Sequence, residues 1–131
     1  MKKITKHWID AGDDDFLTVQ KLVGDDYLTH IAAFHCQQSI EKYFKAIIEE
    51  YNLGFIKTHN LENLLGQVKE VVDIIVDYET IEKLDLLYID ARYPSAFGLL
   101  PNGKPDNNEI QLFIQTVESV KKQVVDFLYV K

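Results

Sequence analysis

The sequence predicts an all-α fold, an up-and-down bundle of four to five helices. Apolar residues recur at spacings of three and four along most of the chain. No segment alternates convincingly between apolar and polar residues, as a half-buried strand does. The periodic stretches are separated by short runs of glycine, asparagine, aspartate and proline, which suits antiparallel neighbours joined by short connections. The 131 residues suit one domain with a real core.

The first helix is expected from Ile4 to Val23, with Ile4, Trp8, Gly12, Phe16, Val19 and Val23 on one face. Gly24-Asp25-Asp26 ends it, a glycine stop followed by a polar turn. The second is expected from about Leu28 to Tyr51, roughly 35 Å long at 1.5 Å per residue. Its apolar set is Ala33, Cys36, Ile40, Tyr43, Phe44, Ile47 and Ile48, which share one broad arc. The third is expected from Leu61 to Val72, with Leu61, Leu64, Leu65 and Val68 inward. Thr58 or Asn60 can cap it, and Glu62 suits its positive end. The β-branched stretch from Val71 to Val76 reads as continued helix, because no partner strand is available. Thr80 is expected to cap the fourth helix, whose inner face is Ile81, Leu84, Leu87, Tyr88 and Ala91. Pro94 stops it by biasing Tyr93 away from helical geometry. All three prolines fall between 94 and 105, in the one long loop. Asp106 and Glu109 form a capping pair that opens the fifth helix. Its stripe is Ile110, Ile114, Val117, Val120/Lys121, Val124 and Phe127/Leu128.

Composition narrows the function classes. Apolar residues make up 47%, too many for a disordered chain. No apolar run approaches the roughly 20 residues that cross a bilayer. The basic start Met1-Lys2-Lys3-Ile4 is followed by His7, Asp10 and Asp13-Asp14-Asp15, not by the apolar stretch of a signal peptide. The expected location is cytoplasmic. The single cysteine, Cys36, excludes an internal disulfide and any cysteine-pair zinc site. A net charge of −7 gives no global attraction to nucleic acid, which leaves only a local basic cleft. Arg92 is the only arginine.

The second helix carries a polar stripe opposite its apolar set. With His35 at zero and ~100° per residue, Lys42, Glu49, Gln38 and Lys45 fall within about 80° of it. The stripe is either a solvated face with ion-pair spacing, Glu41–Lys45 and Lys45–Glu49 being four apart, or a cleft wall that binds phosphate or a base edge. His59 follows Thr58 at a helix start, where free amides attract anions; the other reading is a packed histidine beside a cap. Asp90-Ala91-Arg92-Tyr93-Pro94 closes the fourth helix. Arg92 there either satisfies terminal carbonyls with Asp90 holding it, or forks onto a phosphate. Asp10 and Asp14, one turn apart, read as a solvated acidic face and not a metal pair. There is no HExxH, EF-hand or P-loop spacing, and Ser39 and Ser95 lack a nucleophile context. No metal and no cofactor is expected.

Three of these segments together resemble the HEPN family of small helical prokaryotic domains. They are Ala33-Phe34-His35-Cys36-Gln37-Gln38-Ser39-Ile40-Glu41-Lys42, with Lys45-Ala46 after it; Lys57-Thr58-His59-Asn60-Leu61; and Asp90-Ala91-Arg92-Tyr93-Pro94. The family pattern is an H-x-Q-Q-x-x-E-K helix, a K-T-H-x-L helix start and an R-Y-P helix end. The resemblance implies a homodimer with a role near nucleotides or RNA, acting beside a minimal nucleotidyltransferase in a module of toxin–antitoxin type. Other relatives are metal-independent ribonucleases in which four to six residues separate an arginine from a following histidine. Here Arg92 matches the arginine, but positions 97, 98 and 99 are Phe97, Gly98 and Leu99. The residues therefore give no catalytic set, and an accessory domain is the expected role. The alternatives are a ribonuclease with a degenerate site and a purely structural interaction bundle. The candidate ligand-binding residues are His35, Gln38, Lys42, Lys45, Thr58, His59, Asp90, Arg92 and Tyr93. His35, Gln38 and Lys42 are expected to face a cleft shared with Thr58, His59 and Arg92, with Lys45 and Glu49 at its rim.

Overall fold

A computed structural model describes residues 1–54, 57–92 and 103–129, with side chains throughout except at 90–92. These residues form an all-α bundle of five helices: α1 (Lys3–Leu22), α2 (Thr29–Glu50), α3 (Leu61–Val68), α4 (Tyr78–Arg92) and α5 (Asn107–Tyr129). No helix among the described residues is long and apolar enough to cross a membrane.

The layout follows from α2. All seven of its expected apolar residues are buried, and so are Thr29, Ala32, Gln37, Ser39, Glu41, Lys45 and Ala46. No residue from Thr29 to Glu50 is exposed. A helix covered on every side must be central, and α1, α3, α4 and α5 all pack against it. Contacts step up α1 as they step down α2: Thr5 with Glu50, Gly12 with Ser39, Asp15 with His35. The two helices are therefore antiparallel.

The face that α1 turns inward overlaps the expected one at Gly12 and Val19 and is otherwise different. Thr5, Ile9, Gly12, Asp15 and Val19 are buried, whereas Ile4 and Val23 are exposed. Trp8 and Phe16 only flank the core. Three polar or backbone-bearing positions on the buried face serve α2 through hydrogen bonds, which an apolar count does not register. Thr5 Oγ1 donates to Glu50 at 2.7 Å, and Ser39 Oγ donates to the carbonyl of Gly12 at 2.8 Å.

α3 is shorter than expected. It stops at Val68, and the chain turns through residues 69–71 before running without regular structure to 77. The β-branched residues Val71, Val72, Ile74, Ile75 and Val76 are stiff at χ1 and favour extended backbone. Their partner is a side chain and not a strand. The Gln123 amide donates to the carbonyl of Ile75 at 2.9 Å and accepts from its N–H at 2.8 Å, closing the pairing a neighbouring strand would supply. Ile74 alone turns fully into the core.

Asp77, not Thr80, caps α4. It accepts from the Glu79 N–H and the Thr80 hydroxyl, so Thr80 sits inside the first turn. α5 opens as expected: Glu109 N–H donates to Asp106 at 2.8 Å and Asp106 N–H to Glu109 at 3.2 Å. Phe113 joins its buried stripe, and Ile114 lies at the edge. Most of the long proline-bearing loop lies outside the described residues.

Candidate functional site

The polar stripe of α2 is not a solvated face. Its His35, Lys42 and Lys45 are paired inside the bundle, in two groups built on two carboxylates.

The first group centres on Asp15 of α1, which is buried. One of its oxygens lies 2.8 Å from His35 Nδ1, and the other accepts from Lys42 Nζ at 2.5 Å. Beside it, the Tyr43 hydroxyl donates to Asp13 at 2.6 Å, and Lys121 of α5 reaches Asp13 at 2.9 Å. Burial pushes the Tyr43 phenol above its ordinary value, and the hydrogen bond to Asp13 adds to this.

The second group centres on Glu41. Lys45 Nζ lies 2.8 Å from its Oε2, and His59 Nδ1 lies 3.1 Å from both carboxylate oxygens. Gln38 donates to Glu41 Oε1 at 3.2 Å and to the side-chain oxygen of Gln37 at 2.7 Å. Gln37, fully buried, donates to the backbone carbonyl of His59 at 2.7 Å. Lys45 is not at a rim: it is buried, with its ammonium 5.4 Å from the centre of the Trp8 ring. A buried lysine requires a counter-charge, and Glu41 one turn earlier is that charge. Glu49 is partly buried, and its backbone carbonyl accepts from Lys2 Nζ.

The expected set is therefore divided. His35 and Lys42 belong to the α1 side, whereas Gln38, Lys45 and His59 belong to the α3 side. Aromatic rings link the two. Tyr88 of α4 stacks on Phe34 (5.4 Å, 9°) and on His59 (5.5 Å, 26°), and Phe34 meets His35 edge-on at 5.3 Å.

The start of α3 holds an anion already, and it is the protein's own. Asp85 of α4 accepts from the Leu61 N–H at 2.9 and 3.0 Å and from the Glu62 N–H at 3.4 Å. Asn60 accepts from the Asn63 N–H at 2.8 Å, and Thr58 Oγ1 accepts from the Asn60 N–H at 3.1 Å. The amides expected to attract an external anion beside His59 are thus filled. Burial raises the Asp85 carboxyl from 3.8 to about 6, outweighing the amide donors that lower it.

Above Asp85 lies a cleft of about 140 Å³ lined by His59, Asn60, Asp85, Tyr88 and Ile89. Arg92 is the last residue of α4, one helical turn beyond Tyr88. The side chains of Asp90 and Arg92, and all of Tyr93, lie outside the described residues. Among the described residues no cluster of three or more His, Cys, Asp or Glu side chains is placed to hold a metal.

The residues that organise the site, Asp15, Gln37, Glu41, Asp85 and Tyr88, are absent from the sequence-derived candidates. Gln37 and Glu41 stand inside the quoted motif, and that was the available signal. Asp15 and Asp85 act across helix pairs, which periodicity along one helix cannot register.

The family model of the HEPN domain matches residues 5–126. No curated protein and no solved structure matches the chain. The family match begins inside the first helix and ends inside the fifth, and so spans the central α2 and both carboxylate groups: the chain belongs to the HEPN domain family.

Proposed function

We propose that the chain is a nucleotide- or RNA-binding accessory domain that acts with a minimal nucleotidyltransferase-type partner in a toxin–antitoxin-like module. The observation that carries this reading is the cleft at His59 and Tyr88, one turn ahead of the only arginine, on a chain of the HEPN family. A half-exposed imidazole stacked on a tyrosine offers a surface for a flat ring, and a guanidinium fits a phosphate. His35 and Lys42 sit apart on Asp15 and support the α1–α2 pairing. With no histidine at positions 97–99, RNA is held and not cut. Two copies pair as a homodimer.

Titration of the ¹⁵N-labelled chain with ATP, GTP and short RNA tests the binding. Shifts centred on His59, Tyr88 and Ile89 are expected, and spectra unchanged at millimolar ligand overturn it. Co-expression with a nucleotidyltransferase encoded beside it should give one co-eluting complex; separate elution overturns the partnership. Light scattering should give the mass of two chains. RNA incubated with the protein should stay intact, and cleavage abolished by Arg92→Ala would instead establish a ribonuclease.

A further inference from the structure

We propose that His59 Nε2 is the recognition atom of the cleft, a hydrogen-bond acceptor fixed by Glu41 that meets an O–H or N–H donor on the nucleoside part of a nucleotide. The proposal rests on the nucleotide-binding reading above and specifies what the site recognises.

The tautomer follows from geometry. His59 Nδ1 faces both oxygens of Glu41 at 3.1 Å. A carboxylate oxygen accepts, so in the neutral ring Nδ1 carries the proton and Nε2 keeps its lone pair. Glu41 cannot swing away, because it is buried and held by Lys45 and Gln38. The ring is fixed as well. Gln37 holds the His59 carbonyl, Tyr88 stacks on the imidazole, and Glu41 grips Nδ1. A solvated surface histidine has none of these constraints. Yet the side chain is 49% exposed and lines the cleft, and Nε2 has no hydrogen-bond partner among the described residues.

The rest of the lining sets the ligand chemistry. The Asp85 carboxylate and the Asn60 side-chain oxygen are already occupied by backbone N–H groups of α3. Tyr88 and Ile89 are largely apolar. Among the described residues no lysine or arginine lines the cleft. At about 140 Å³ the space is well below the roughly 300 Å³ at which whole-ligand pockets begin, so it takes a part of a ligand. A neutral ring or sugar carrying one donor fits this lining. That donor is either the ribose 2′-hydroxyl or an exocyclic amine of the base.

Two measurements on the full chain test the proposal. Long-range ¹H–¹⁵N correlation of the free protein should show His59 protonated at Nδ1 and bare at Nε2, and a spectrum showing the Nε2–H form overturns the proposal without any variant. Glu41→Gln should shift His59 toward a tautomer mixture, which a role in packing alone would not do. Calorimetry with AMP, dAMP and inosine monophosphate then names the donor. His59→Phe keeps a ring against Tyr88 and removes the acceptor, and should weaken AMP about tenfold, the worth of roughly one hydrogen bond. An equal loss for wild type with dAMP identifies the 2′-hydroxyl, and with inosine monophosphate the amine. If both analogues bind like AMP, or His59→Phe binds AMP like wild type, this proposal fails while the binding reading stands. If wild type binds none of the three, the binding reading fails and takes this one with it.

Discussion

The α-carbon of Gly12 faces the ring of Tyr43 so closely that a methyl group on it would stand 2.8 Å from the ring edge. The same turn of α1 accepts the Ser39 hydroxyl on the Gly12 carbonyl and the Tyr43 hydroxyl on Asp13. Gly12 is therefore the position at which α1 lets a large ring of α2 pass beneath it.

Gly12→Ala should destabilise the fold. Overpacking a tight contact costs about 1–3 kcal/mol, and alanine returns about 1 kcal/mol of helix propensity. The net loss expected is about 0–2 kcal/mol, read as a lower urea midpoint at unchanged slope. A rise in the midpoint would mean that the ring can move aside at no cost.

That contact also marks what periodicity conceals. The helices and the core of α2 are legible because Ile40, Phe44 and Ile47 repeat at helical spacing, and the Asp106–Glu109 cap is legible because both partners are local. The inner face of α1 is not, because glycine, threonine and aspartate score as neutral or polar while their partners lie on another helix. The same holds for the site. His59 stands in a recognisable segment, but Glu41, which orients it, is 18 residues away and resembles a surface charge until α2 is known to be covered all round. The end of α3 was misplaced because an extended segment can be satisfied by one glutamine, Gln123, with no strand beside it.

Asp85 should give the fold a pH dependence. Its carboxyl is raised from 3.8 to about 6 by burial, so the folded chain holds a proton there that the unfolded chain has released. Stability from this group therefore rises as pH falls from about 6 toward 4, and is absent above that window. Asp85→Asn keeps a side-chain oxygen for the Leu61 N–H and removes the titration. The difference in unfolding free energy between variant and wild type should change across this window and stay flat above it. A constant difference would place the Asp85 titration elsewhere.

Cys36 should be inert while the chain is folded. The thiol is fully buried and burial pushes it up to about 12, so almost no thiolate is present to attack a reagent. Disulfide-exchange labelling at pH 8 should proceed only as fast as the structure opens, and accelerate in urea toward the rate of a free thiol. Immediate labelling without denaturant would contradict the burial.

The Glu41–Lys45 pair should show strong coupling. Lys45→Met leaves the Glu41 carboxylate buried without its ammonium and should cost about 3 kcal/mol, as breaking buried pairs does. Glu41→Leu combined with Lys45→Met removes both charges and should recover most of that loss. The double variant should also release His59 from its fixed tautomer, so recovered stability with an unpinned imidazole is the expected signature. Additive losses would mean that the two charges do not depend on each other.

A helix covered on all sides is made before most of its cover. α2 ends at Glu50, while the residues of α3, α4 and α5 that close over it run from Leu61 to Val124. At roughly 5–20 residues per second of synthesis, the gap from Glu50 to Val124 lasts about 4–15 s. α3 and α4 reach α2 only partway through that interval and α5 only at its end, so part of its apolar surface stays bare on the ribosome until then. For this chain, the period of greatest exposure to aggregation is set by the order of its helices and not by the stability of the finished bundle.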